Sequence, residues 1–152
     1  MLRARDVMVK NVITVKEHDT LQEVAKILVD KKISGVPVID DNNRVVGIIT
    51  EGDLIYQGKK FHVPAVIEIL GGVFYFEDPR KIEKDLRKMV GVKAGDVMTS
   101  EIITVEENTS IEEIATIMVK KSINRVPVTD ETGMLVGIIT RQDLIRTIHE
   151  QK

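Results

Sequence analysis

The chain has 152 residues, 43% of them hydrophobic and 30% charged, with a formal net charge of −2. These proportions describe a soluble globular protein of one ordinary domain or two small ones and exclude a disordered tail. The charge supplies no global basic field of the kind that draws nucleic acid, and the absence of cysteine excludes disulfides, thiolate zinc sites and a cysteine nucleophile. A cysteine-free chain is compatible with a reducing cytoplasm, which is the expected location. The first residues, Met1-Leu2-Arg3-Ala4-Arg5-Asp6, lack the apolar core of a signal peptide. Residues 63–76 are too short for a membrane span of about 20 apolar residues, and Glu68, Gly71 and Gly72 interrupt them.

Taken in order, the chain states one pattern twice, at an offset of 90 residues that carries Gly47 onto Gly137. Asp6-Val7-Met8 returns as Asp96-Val97-Met98, Val36-Pro37-Val38 as Val126-Pro127-Val128, and GIITEGDLI (47–55) as GIITRQDLI (137–145). About half of the aligned positions are identical. In the first copy, residues 12–15 are a short β-branched run that predicts a strand. Thr20 and Glu23, like Ser110 and Glu113, have capping-box spacing. Leu21, Val24, Ala25 and Leu28 then follow at helical spacing, matched by Ile111, Ile114, Ala115 and Met118. Residues 36–39 predict the next strand; Pro37 cannot donate to a ladder, so this strand is expected at an edge or to begin at the proline. Asp40 to Asn43 and Asp130 to Gly133 carry turn residues. A returning strand over 44–50 (134–140) and a second helix after Thr50 (Thr140) complete a β-α-β-β-α unit.

The organisation expected is therefore an α/β (α+β) chain with repeat 1 at 1–58, an inter-repeat segment at 59–93 and repeat 2 at 94–152. All three phenylalanines (Phe61, Phe74, Phe76) and both tyrosines (Tyr56, Tyr75) fall between 56 and 76, which reads either as a docking surface or as a linker packed on its own domain. Asp78-Pro79 has the form of a helix start, and Arg80, Lys81, Lys84, Arg87 and Lys88 make the following helix basic.

The doubled motifs, DVM before the first strand, VPV after the first helix and GIIT-x-x-D at the hairpin-to-helix junction, resemble a tandem of CBS (cystathionine-β-synthase-type) domains, the pair called a Bateman module. The resemblance covers nearly all of the chain outside roughly 56–93 and implies two repeats packed sheet to sheet with pseudo-twofold symmetry. It also implies frequent homodimers and clefts between repeats for adenosine-containing ligands: AMP, ADP, ATP or S-adenosylmethionine.

Thr140 with Asp143, and Thr50 with Asp53, suit a helix cap, the threonine hydroxyl accepting an amide hydrogen bond and the carboxylate reaching back. The same carboxylate can accept from both hydroxyls of a ribose, and a helix N-terminus favours phosphate oxygens. Under the resemblance, Ser34-Gly35 and Asn124-Arg125, just before Val36-Pro37 and Val126-Pro127, occupy phosphate-facing positions. Arg125 reads as a bidentate phosphate ligand or as one partner of a surface ion pair. Arg141 beside Thr140 adds positive charge where the first copy has Glu51, so the Thr140–Asp143 cleft is the more favourable for an anion. Ile13, Ile103, Val36 and Val126 are candidate apolar walls for adenine.

Nothing points to an enzyme, a catalytic cofactor or a metal. His18, His62 and His149 lack ligand spacing, and Gly71-Gly72 lacks the Lys-Ser/Thr of a P-loop. The expected function is a stand-alone regulatory module that binds an adenosine nucleotide and signals by conformational change. The alternative is a non-catalytic interaction or oligomerisation scaffold with no bound ligand, and a weaker third is nucleic-acid contact through the basic stretch at 79–90.

Overall fold

The computed structural model describes residues 1–60 and 91–150, with the side chains of 57–60 excepted. Phe61, Phe74, Tyr75 and Phe76 and the basic stretch at 79–90 lie outside the described residues. In chain order the elements are α1 (Ala4–Val7), β1 (Val15–Lys16), α2 (Leu21–Lys31), β2 (Gly35–Ile39), β3 (Val45–Thr50) and α3 (Glu51–Lys60). The second copy follows as α4 (Ala94–Val97), β4 (Val105–Glu106), α5 (Ile111–Lys121), β5 (Arg125–Thr129), β6 (Leu135–Thr140) and α6 (Arg141–Glu150). Each repeat thus has the expected β-α-β-β-α order with one short helix added in front. Among the described residues no helix is long and apolar enough to cross a membrane.

Two features of the sequence reading are corrected at the first strand and at the proline strand. The run 12–15 yields only Val15 and Lys16 as strand, and a turn ends it at once: Lys16 N–H donates to Asp19 Oδ2 at 2.8 Å and Asp19 N–H returns to Lys16 O at 3.1 Å. In the second copy Thr109 Oγ1 takes the aspartate's place, accepting from Glu106 N at 3.1 Å. The proline strands are central, in sheets ordered β1-β2-β3 and β4-β5-β6, and they begin two residues before the proline. Pro127 is opposite Ile138. Ile138 gives both its backbone groups to Val9 on its other side, donating at 3.0 Å and accepting at 2.9 Å. The Pro127–Ile138 pair is therefore a non-hydrogen-bonded one. The missing proline donor faces the β4 side, one residue before the parallel ladder starts with Val105 opposite Val128. A proline sits there at no loss of a ladder bond.

The capping boxes decide where the long helices start. Thr20 Oγ1 accepts from Glu23 N at 3.1 Å and Glu23 Oε2 accepts from Thr20 N at 3.0 Å. In the second copy Ser110 Oγ accepts from Glu113 N at 3.2 Å; of these two glutamates Glu23 makes the return bond. Both helices stop on a left-handed residue, Lys32 and Ser122, each with φ of 54°, and the next amide bonds back to Leu28 O (3.1 Å) or Met118 O (3.0 Å). The apolar spacing is reproduced in burial, with Leu21, Val24, Leu28, Ile114 and Met118 inside, although Ala115 is exposed.

The described residues group into two compact units, and the leading segment of each repeat falls in the unit built on the other repeat's sheet. Of the described residues, the Thr140 unit draws on Met1–Ile13, Asn42–Val45 and 102–150; the Thr50 unit draws on Thr14–Asp41, 46–60 and 91–101. In the Thr140 unit the core joins Ala4 to Val105, Ile114, Met118, Val126, Val128, Ile139 and Leu144, with Val7 and Met8 packed against it. The leader is tied down by Ala4 N donating to Thr109 O (2.8 Å), Arg5 N to Glu107 O (3.0 Å) and the Val9–Ile138 exchange. In the Thr50 unit Ala94 N donates to Asp19 O (2.7 Å), and Thr99 and Ile48 exchange bonds of 2.9 and 3.1 Å. Both leader helices start alike, with Asp6 Oδ2 accepting from Arg3 N and Asp96 Oδ2 from Lys93 N, each at 2.9 Å.

Docking of the leaders explains the glycine of GIIT. A Cβ on Gly137 would come within 2.8 Å of Met8 Cγ and 3.0 Å of Met8 Cβ; on Gly47 the neighbours are Met98 Cγ at 2.8 Å and Cβ at 3.1 Å. The DVM methionine and the GIIT glycine are a matched pair in each unit. Gly137→Ala should cost about 1–3 kcal/mol through overpacking. In a Met8→Ala background the same change should cost markedly less, a coupling that a double-mutant cycle in urea measures.

The β5–β6 turn is closed by Asp130, whose Oδ1 accepts from Thr132 Oγ1 (2.7 Å), Thr132 N (2.8 Å) and Met134 N (3.0 Å). Gly133 follows with φ of 85°, and the equivalent Asn43 has φ of 62°. The Thr132 hydroxyl first, then the Met134 amide, hold the Asp130 carboxyl below the usual aspartate range. A depressed folded value means a stabilisation present above the unfolded pKa of about 3.9 and lost as pH falls through the folded one. The stability difference between wild type and Asp130→Ala should therefore shrink on acidification below about pH 4, and the Asp130 carboxyl should titrate low by NMR.

Candidate functional site

The end of each hairpin passes directly into a helix, and the junction is built twice with the same bonds. In the Thr140 unit, Thr140 N–H donates to Asp143 Oδ2 at 2.8 Å, Thr140 Oγ1–H donates to the same oxygen at 2.9 Å, and Asp143 N–H donates to Thr140 Oγ1 at 3.3 Å. In the Thr50 unit the corresponding distances to Asp53 are 2.8, 3.1 and 3.4 Å. The pair is thus a complete capping box with Asp in the third helical position. The shorter aspartate suffices because the threonine hydroxyl meets it halfway. One carboxylate oxygen, Oδ2, carries the whole cap, so Oδ1 retains its acceptor capacity.

The loop before the proline strand is held against this junction. Arg141 N–H donates to Asn124 O at 2.8 Å, and Glu51 N–H to Ser34 O at 2.9 Å. Arg125 is opposite Thr140 in the β5–β6 ladder, Val126 opposite Ile139, and Pro127 opposite Ile138. The structure therefore brings Asn124, Arg125, Thr140, Arg141 and Asp143 to one end of one sheet. In the Thr50 unit Ser34 and Gly35 are brought to Thr50, Glu51 and Asp53 by the same loop contact, with Val36 and Pro37 continuing into β2.

Burial separates the roles of these residues. Asp143 is 7% exposed and Arg125 also 7%, so Arg125 is a buried arginine and not a surface one. Asn124 and Arg141 are exposed, as is Glu51, whereas Thr140, Thr50 and Asp53 are half-buried. Val36 and Val126, expected as apolar walls, are fully buried, and Val126 is part of the core beside Ile139 and Val128. Their side chains fill the interior and present no wall to a ligand. Ile13 and Ile103 are half-buried, in the segments before β1 and β4.

Sequence reading missed Arg146. Its Nη1 is 3.6 Å from Asp143 Oδ1, the oxygen that the cap leaves over, and its side chain is 63% exposed against 8% for the aspartate. The signal was present as an i, i+3 acid–base pair on one helix face. Among the described residues no set of three or more His, Asp or Glu side chains is arranged to hold a metal ion.

A family model described as "CBS domain" matches residues 4–59 and 94–150. Over 153 residues the chain is 31% identical to an uncharacterized protein of Methanocaldococcus jannaschii, MJ1426, with 95% of this chain and 89% of that one covered. The crystal structure of CBSX2 from Arabidopsis thaliana in complex with AMP superposes with a TM-score of 0.76 at 28% identity, covering 99% of this chain and 98% of that one. The chain spans 58% of the longer chloroplastic CBSX2 sequence. The CBS domain pair of MJ0100, in complex with 5′-methylthioadenosine and S-adenosyl-L-methionine, superposes with a TM-score of 0.75 at 26% identity, covering 100% and 99%.

Asp143→Ala should destabilise the protein by about 1 kcal/mol, the ordinary worth of a helix cap. Asp143→Asn keeps an oxygen for Thr140 and should stay within about half of that loss; urea unfolding of the two variants separates them.

Proposed function

This chain belongs to the CBS-domain family, with two copies of the domain in tandem, and we propose that it is a regulatory module that binds an adenosine-containing ligand and passes on a conformational change. The ligand class proposed is AMP, ADP, ATP or S-adenosylmethionine, held at the Thr140–Asp143 junction and, with different preference, at Thr50–Asp53. The observation that carries the reading is the division of labour within the Asp143 carboxylate. Oδ2 is committed to Thr140, and Oδ1 is left to accept from a ribose hydroxyl. The cap holds the carboxylate rigid before any ligand arrives, which lowers the ordering cost of binding. Arg141 at the start of α6, Asn124 in the loop bonded to it and buried Arg125 at the start of β5 are assigned to the phosphate side. AMP in CBSX2, and methylthioadenosine and S-adenosylmethionine in MJ0100, support an adenosine ligand.

A sensor needs an output, and a ligand shifts a conformation only if it binds one state better than another. We assign the output to a homodimer or to a regulated partner protein, and the role to regulation without catalysis. Val119, Ile145 and Ile148, which are 79, 58 and 63% exposed, are apolar surface suited to such a contact.

Calorimetry with AMP, ATP and S-adenosylmethionine tests the ligand class. Asp143→Asn, which keeps the cap but replaces an acceptor oxygen by an amide donor, should cost about 1.5–3 kcal/mol of affinity. Unchanged affinity in that variant removes the ribose assignment. If no adenosine compound binds or raises the melting temperature while the protein runs as a tight dimer, the ligand-free scaffold is the better reading.

A further inference from the structure

The two capping junctions are the same to within a few tenths of an ångström, yet their charged surroundings differ. Three positions are arginine around Thr140–Asp143 and non-basic at the 90-residue offset: Arg125 against Gly35, Arg141 against Glu51, and Arg146 against Tyr56. Of the three, Arg146 engages the carboxylate oxygen that the proposed ligand would need. Asp53 has no ion pair among the described residues, and Tyr56 is 67% exposed.

We infer that Arg146 is a specificity-determining residue, which makes the Thr140–Asp143 site select phosphorylated adenosine compounds and leaves the Thr50–Asp53 site to adenosyl compounds without phosphate. This rests on the ligand reading above. A ribose hydroxyl that donates to Asp143 Oδ1 competes with the Arg146 guanidinium for that oxygen. Asp143 is buried but the Arg146 side chain is 63% exposed, so the pair is partly screened and loosening it is a modest cost. An uncharged nucleoside leaves the displaced cation with water alone. A nucleotide brings phosphate oxygens, for which a guanidinium is a bidentate partner, and so recovers the pair in another form. Among the described residues no guanidinium pairs with Asp53, and the carboxylate of Glu51 beside Thr50 opposes a phosphate and favours a neutral or cationic adenosyl group.

The test is calorimetry with AMP and adenosine on Asp53→Asn protein, which silences the second site, with and without Arg146→Gln. The Asp53→Asn protein should prefer AMP. Adding Arg146→Gln should weaken AMP and leave adenosine equal or tighter, lowering the AMP-to-adenosine ratio about tenfold. Arg146→Lys should keep an intermediate ratio, since it retains the charge and loses the planar fork. AMP binding with an unchanged ratio, or an equal loss for both ligands, overturns the inference while leaving the ligand reading intact. No binding of either compound to the wild-type protein overturns both. Arg146 is 63% exposed, so its replacement by Gln does not put the fold at risk.

Discussion

The constraint on which the rest of the structure depends is the backbone exchange between Val9 and Ile138, repeated as Thr99 with Ile48. Each exchange occupies the outer edge of the hairpin strand that leads into a capping junction. It turns Ile138 away from β5, which lets a proline sit in the middle of a sheet. It also lays Met8 over Gly137, so the residue beside Ile138 has no room for a side chain. The DVM and VPV motifs and the glycine of GIIT are thus one arrangement seen from three places.

The junctions at the strand ends are structural devices whose bonding leaves acceptor capacity over. In this capping box Oδ2 takes two donors from Thr140, and Oδ1 faces only the exposed Arg146 at 3.6 Å among the described residues. Burial to 7% keeps the group fixed while the exposed Arg141 and Asn124 stand where charge can be met. The Thr and Asp of the box are the same in both copies while Arg141 stands against Glu51 and Arg146 against Tyr56, so the charge around the box varies without disturbing the helix start.

Most of what is local was legible in the sequence. Thr20 with Glu23, the Asp130 turn and the Thr140–Asp143 cap all depend on residues within four positions of one another, and their side-chain chemistry dictates one geometry. The position of the proline strand was not legible, because it depends on whether the residue opposite Pro127 bonds toward it or away from it, and that is decided by Val9, 129 positions distant in the numbering of the chain. The membership of the leaders was hidden for a different reason. Asp6-Val7-Met8 and Asp96-Val97-Met98 are the same three residues, so either fits either glycine, and no pattern along the chain distinguishes the two pairings. Val36 and Val126 were misread because an apolar residue next to polar ligand positions suits a pocket wall and a core equally well; only the burial decides.

Placing the leader of one repeat in the unit of the other has a consequence for how the chain comes to be folded. Arg3 reaches Asn108 across 105 residues and Arg5 reaches it across 103, so the contacts that seat the first leader are among the most distant in the molecule. Synthesis delivers the parts of the Thr50 unit first, since its last strand-edge residue is Thr99, whereas Met8 has no glycine to rest on until residue 137 has emerged. The beginning of the chain is therefore among the last parts to be seated. Long loop closure slows that step, and until it is complete the leader leaves Ala4, Val7 and Met8, apolar side chains of the core, without their partners.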